Sequence, residues 1–130
     1  LVKGQPQSHI LVVDDDSDIR DLLASLLDLE GYDVQTAPNG KVALDLVTAK
    51  RPSLVVLDLR MPIMDGWTFL DKLKERRLVL PIIVLSAEPQ HSSKVVTNAK
   101  TVYVTKPFAV DDLLRVIERF RVPRRHPPPP

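Results

Sequence analysis

From Ile10 onward, short apolar runs alternate with stretches that are apolar on one side only. "ILVV" (Ile10–Val13) is the first run, continuous enough for a strand buried on both faces. After it, "SDIRDLLASLLDLEG" sets Ile19, Leu22, Leu23, Leu26 and Leu27 at the i, i+3, i+4, i+7, i+8 spacing of one helix face. Asp16 or Ser17 can cap the start of that helix, and Gly31 can end it in a left-handed conformation. "YDVQTA" reads as a second strand. The next helix opens at Asn39, stops before Pro52 and turns Val42, Leu46 and Val47 inward.

"SLVVLD" is a third strand, again continuously apolar until its final aspartate. A third helix runs from about Gly66 to Arg76, and Pro81 introduces the strand "IIVLS". The following "AEPQHSSKVVTNAK" has poor helix propensity, which predicts a short or mobile fourth helix. "TVYVT" is the fifth strand. The last helix spans Val110 to Phe120, with Leu113, Leu114, Ile117 and Phe120 on one face.

This (βα)5 alternation predicts an α/β fold: a doubly wound parallel sheet with helices on both faces and right-handed crossovers. Five units are too few for an eight-stranded barrel. At the front, "LVKGQPQSH" (residues 1–9) has no periodicity and reads as a disordered leader. Its lack of an initiating Met suggests a trimmed or excised chain. The folded domain is expected over residues 10–121, and "VPRRHPPPP" (122–130) as an extended, mobile tail.

Composition narrows the function classes. One domain is expected from 130 residues, and with no cysteine there is neither a disulfide nor a thiolate metal site. No apolar stretch approaches a membrane span, and none resembles a signal peptide; a cytoplasmic protein is the expectation. The formal net charge of +1 becomes −4 once Lys3, Arg119, Arg121, Arg124 and Arg125 are set aside. An acidic body is a poor nucleic-acid surface.

Ligands in such sheets bind beyond the carboxyl ends of the strands. The first strand ends in Asp14-Asp15-Asp16, the third in Asp58, the fourth in Ser86, and the fifth in Lys106-Pro107. Carboxylates, a hydroxyl and an ammonium therefore meet in one crevice. Packed carboxylates raise one another's pKa unless a cation joins them, and oxygen-only ligands point to a hard divalent ion, Mg²⁺. Ser86 and Lys106 suit phosphoryl oxygens, and Asp58 can act as a carboxylate nucleophile that forms an acyl phosphate.

Together, "ILVVDDD", "VVLDLRMPIMDG", "VLSAE" and "YVTKPF" resemble the receiver domain of two-component response regulators, over roughly Ile10 to Phe120. The resemblance implies a flavodoxin-like fold with strand order 2-1-3-4-5. It implies that Asp58 takes a phosphoryl group from a histidine kinase or phosphotransfer protein. Asp15 would then ligate Mg²⁺ directly, Asp14 mainly through water, and the Arg60 backbone carbonyl would add a ligand. Ser86 and Lys106 would hold the phosphoryl group, and the Lys106-Pro107 bond would be cis. Tyr103 would be a switch aromatic coupling the site to a surface formed by the fourth helix, fifth strand and fifth helix. Such a domain is a bacterial signalling switch that catalyses only its own phosphorylation and dephosphorylation.

Simpler readings exist for each residue. Asp16 is expected only to cap a helix, and Trp67 only to pack. His9, His91 and His126 are too dispersed to form a metal site. Arg60 and Glu88 flank Asp58 and Ser86, and are expected to pair across the phosphoryl site and hinder water. A phosphorylation-independent pseudo-receiver, working as an interaction module, is the alternative function, against which the intact set Asp14, Asp15, Asp58, Ser86 and Lys106 argues. A phosphatase of the aspartate-nucleophile kind would want a second Asp where Arg60 stands.

Overall fold

A computed structural model describes residues 9–87 and 100–125. Five strands form one sheet in the order β2-β1-β3-β4-β5: β1 (His9–Val13), β2 (Asp33–Ala37), β3 (Leu54–Asp58), β4 (Ile82–Ser86) and β5 (Thr101–Thr105). Every neighbouring pair is parallel. Among the described residues there are four helices: α1 (Ser17–Leu29), α2 (Gly40–Ala49), α3 (Gly66–Glu75) and α4 (Val110–Arg119). The weakly helical stretch expected between β4 and β5 lies, over residues 88–99, outside the described residues.

The continuous apolar runs follow from burial on both faces. Leu11, Val13, Val55, Leu57, Ile82 and Val84 pack with Ala43, Leu44 and Val47 of α2 and Phe69, Leu70 and Leu73 of α3. Their sequence neighbours Ile10, Val12, Leu54, Val56, Ile83 and Leu85 pack with Leu23 and Leu27 of α1 and Leu113 and Ile117 of α4. Alternate side chains of each central strand thus feed opposite layers, as the period of two requires.

Capping accounts for the helix starts. Asp16 accepts the N–H groups of Asp18 and Ile19 at 2.9 and 3.3 Å, and Asn39 that of Val42 at 2.9 Å. Asp65 accepts from Thr68 at 2.8 Å. Gly31, with φ 93°, ends α1 in the left-handed region.

The structure differs from the sequence reading in three places. Leu22 and Val42, expected inward, are exposed, because each apolar stripe is wider than the face its helix buries. His9, assigned to the leader, is the first residue of β1 and is 3% exposed. Residues 122–125, assigned to the tail, pack against the body: Val122 is buried. Arg124 stacks on Tyr32, its guanidinium 4.7 Å from the ring centroid. Arg125 bonds the side chains of Asp28 and Asp33 and the carbonyl of Tyr32.

Candidate functional site

The carboxyl ends of β1, β3, β4 and β5 form one edge, and the acidic, hydroxyl and ammonium groups gather there. Asp14 directly follows β1. Its N–H continues the sheet by donating to Ala37 O at 3.1 Å. Its side chain is therefore carried inward, and the residue is 2% exposed. Asp14 Oδ1 accepts the Asp16 N–H at 2.9 Å, while Oδ2 is buried without a hydrogen-bond partner. Asp15, one residue on, is exposed.

Asp58 ends β3, paired in register with Leu85. Its side chain is 14% exposed, and Oδ1 lies 3.6 Å from Lys106 Nζ. The Arg60 N–H donates to the same oxygen at 3.4 Å. Lys106 in turn is fixed by its own N–H, which donates to Ser86 O at 2.8 Å. That bond ties the ends of β4 and β5 together. The Lys106-Pro107 peptide is cis. Asp58, Leu59, Arg60, Leu85, Ser86, Ala87 and Lys106 line a cavity of about 160 Å³.

One carboxylate oxygen from each of Asp14, Asp15 and Asp58 falls within 4.8 Å of the others. Burial pushes the Asp14 carboxyl above its ordinary pKa, the Asp16 N–H opposes this, and the charge of Asp58 adds to it. Burial likewise raises Asp58, outweighing the attraction of Lys106 and the Arg60 N–H. Ionised side by side, these acids are held at a cost in free energy that a cation would remove. The unpartnered Asp14 Oδ2 and the all-oxygen donor set fit a hard divalent ion such as Mg²⁺.

Other expected residues fall as follows. Asp16 caps α1 and lies outside the cluster. Trp67 is half-buried against the core. Tyr103 stands on β5, half-buried against the layer under α2 and α3. Its hydroxyl is buried without a partner among the described residues, and burial pushes its phenol pKa up. Arg60 is exposed beside the cavity, but Glu88, its expected partner, lies outside the described residues.

Three positions escaped the sequence reading. Arg20 Nη1 donates to Asp14 O at 2.8 Å, holding the peptide between the two acids. Gly66 brings α3 against the strand end: a Cβ there would stand 2.7 Å from Leu59 Cα and 2.9 Å from Asp58 O. Gly40 does the same for α2, where a Cβ would meet Met64 O at 2.7 Å. "MDG" and "NG" signal turns, but nothing in a linear pattern says which backbone will approach them.

A five-stranded parallel sheet with three acids and a lysine gathered at the carboxyl ends of its strands defines the class of doubly wound α/β domain with a polar site at one sheet edge. The sequence model for the response regulator receiver domain matches residues 10–118. The chain belongs to that family. The response regulator MprA of Mycolicibacterium vanbaalenii is 42% identical over 108 residues, which are 82% of this chain and 47% of that protein. The chain thus spans about half the length of that relative. Among solved structures, the Vibrio cholerae chemotaxis protein CheY4 is 28% identical with a TM-score of 0.79, covering 88% of this chain and 99% of that one. The Thermotoga maritima response regulator TrrA, solved in complex with Mg²⁺ and BeF, is 34% identical with a TM-score of 0.78, again over 88% and 99%. Receiver domains are signalling switches and not turnover enzymes. Among the described residues, no helix is long and apolar enough to cross a membrane.

Proposed function

We propose that this receiver accepts a phosphoryl group on Asp58 from a histidine kinase or a phosphotransfer protein, with Mg²⁺ as cofactor. The observation that carries the reading is the meeting of three carboxylates within 4.8 Å, with Lys106 Nζ 3.6 Å from Asp58. An Asp58 carboxylate oxygen attacks the phosphorus of the donor's phosphohistidine. The new P–O bond forms as the P–N bond breaks, and the imidazole leaves with its electron pair. Lys106 pairs with a phosphoryl oxygen and Ser86 donates its hydroxyl to another; the Lys106 N–H to Ser86 O bond ties together the backbones that carry them.

Asp14 and Asp15, the Asp58 carboxylate and the Arg60 backbone carbonyl would hold the metal. When bound, Mg²⁺ supplies positive charge that balances the carboxylates and the phosphoryl oxygens. Hydrolysis later reverses the charge: water attacks phosphorus, the Asp58–phosphorus link opens, and the free carboxylate and inorganic phosphate result. Between these events Ser86 moves toward the phosphoryl group and Tyr103 follows. The response reaches a downstream protein through the surface around β5, the helix after it and the residues before it. The reading places the protein in the bacterial cytoplasm, with no direct nucleic-acid contact by this domain.

Incubation with Mg²⁺ and acetyl phosphate should add one phosphoryl mass increment to the wild type and none to Asp58→Asn. An unmodified wild type would favour a phosphorylation-independent interaction module. An increment that survives Asp58→Asn would move the acceptor to Asp14 or Asp15.

A further inference from the structure

The connection between Asp58 and α3 holds an apolar residue in a conformation that such residues avoid. Ile63 has φ 70°, and across it the Met64 N–H donates to Pro62 O at 2.8 Å. A bond from i+2 to i over a positive φ is a γ-turn of the rare, strained hand. Glycine enters this region freely and Asn or Asp at modest strain, whereas a β-branched side chain there is an outlier.

The turn itself has a structural cause. Met64 O accepts the Gly40 N–H at 2.9 Å, and the Met64 side chain packs on the core under α2 and α3. The chain must reverse at residue 63 to bring Met64 in. Nothing in that arrangement calls for isoleucine, whose residue is 81% exposed and belongs to neither core layer. Glycine or asparagine would make the same turn with less strain.

We propose that Ile63, with the exposed Pro62 beside it, is a docking contact for the protein that donates the phosphoryl group. Its partner is a phosphohistidine-bearing domain with apolar side chains flanking the imidazole. The proposal rests on Asp58 being the phosphoacceptor. In-line transfer sets the donor histidine over the Asp58 carboxylate, so the donor surface around it must cover the strand-end loops. Ile63 lies five residues beyond Asp58 in one of those loops. The strained turn holds the side chain out before binding, so little conformational freedom is lost on docking. An apolar anchor of this kind raises affinity for the protein donor and does nothing for a small one.

The test compares Ile63→Gly and Ile63→Asn with the wild type in two arms. One arm uses acetyl phosphate and Mg²⁺. The other uses a purified phosphorylated histidine kinase, the fastest donor to the wild type in a panel. Both variants should melt at or above the wild-type temperature and take phosphate from acetyl phosphate at the wild-type rate. From the kinase, kcat/KM should fall about tenfold, through KM. Unchanged transfer from the kinase overturns the proposal and gives the residue to another occupant, such as a second copy of the chain. Equal losses in both arms also overturn it, because the turn then shapes the acid site itself. Lowered melting in both variants overturns the strain argument. A wild type that acetyl phosphate leaves unmodified overturns the phosphoacceptor reading, and this proposal with it.

Discussion

Asp14→Asn should stabilise the protein when no divalent ion is present and remove most of its response to Mg²⁺. Asp14 is 2% exposed, and its Oδ2 has no partner. Its carboxylate and that of Asp58 offer oxygens within 4.8 Å. Two unit charges at 4.8 Å repel by about 3.5 kcal/mol at an effective dielectric of about 20. Lys106, 3.6 Å from Asp58, offsets part of this, leaving a net penalty of roughly 1–3 kcal/mol. The amide keeps an oxygen where Oδ1 accepts the Asp16 N–H, so the variant loses charge and little else. At about 4 °C per kcal/mol for a domain of this size, its melting temperature should rise by roughly 4–12 °C. With Mg²⁺ at about 100 times its dissociation constant, the wild type should gain about 2.7 kcal/mol, or roughly 10 °C. The variant should gain only a small part of that. Differential scanning calorimetry at neutral pH, with EDTA and then across a Mg²⁺ series, reads both effects. A variant less stable than wild type in EDTA, or one that keeps the full Mg²⁺ shift, would refute the reasoning.

His9 provides a pH-dependent counterpart far from the acids. His9 is buried, and burial first, then the charge of Lys50, hold its pKa below the ordinary value, against weaker pulls from Asp33 and the Gln35 side chain. The unfolded chain therefore binds the proton first, and stability falls as pH drops below about 6.5, by at most about 1.4 kcal/mol per pH unit. Urea melts of His9→Leu between neutral and mildly acidic pH should show a flatter profile than the wild type. Gly66→Ala must displace Leu59 or the Asp58 carbonyl, so a loss of about 1–3 kcal/mol is expected in denaturant melts. On the proposed function, acetyl-phosphate labelling of Asp58 should slow in the same variant, since the Asp58 carboxylate moves with its backbone. Arg60→Ala and Glu88→Ala should each shorten the acyl-phosphate lifetime at Asp58, measured as loss of label after the donor is removed. Unchanged decay in both would leave Arg60 as a solvated rim charge.

Much of the architecture was legible without coordinates because period and length are local properties. "ILVV", "SLVVLD" and "IIVLS" have the length and β-branched content of strands buried on both faces, and the caps at Asp16 and Asn39 mark helix starts by their chemistry. The gathering of the candidate site residues was legible for a related reason. In a parallel sheet each strand's last polar residue reaches the same edge, so Asp14, Asp58, Ser86 and Lys106 had to meet. Where reading failed, burial was the unknown. The stripes of α1 and α2 include Leu22 and Val42, and only packing shows that the covered faces are narrower. "VPRR" looks like solvated tail until Tyr32, Asp28 and Asp33 stand beside it.

By itself, then, the sequence determined the alternation of elements, the doubly covered sheet and the group of residues at its carboxyl edge. Those follow from hydrophobic period, capping and chain direction, each set within a few residues. Tertiary structure alone decided which acid is buried with an unsatisfied oxygen and which stays exposed, since Asp14 and Asp15 are chemically alike in the chain. It alone showed that Gly40 and Gly66 admit neighbouring backbone, and that Ile63 is held outward in a strained turn. These depend on contacts between segments distant in sequence or on the reversal those contacts force, and a linear pattern carries no record of either.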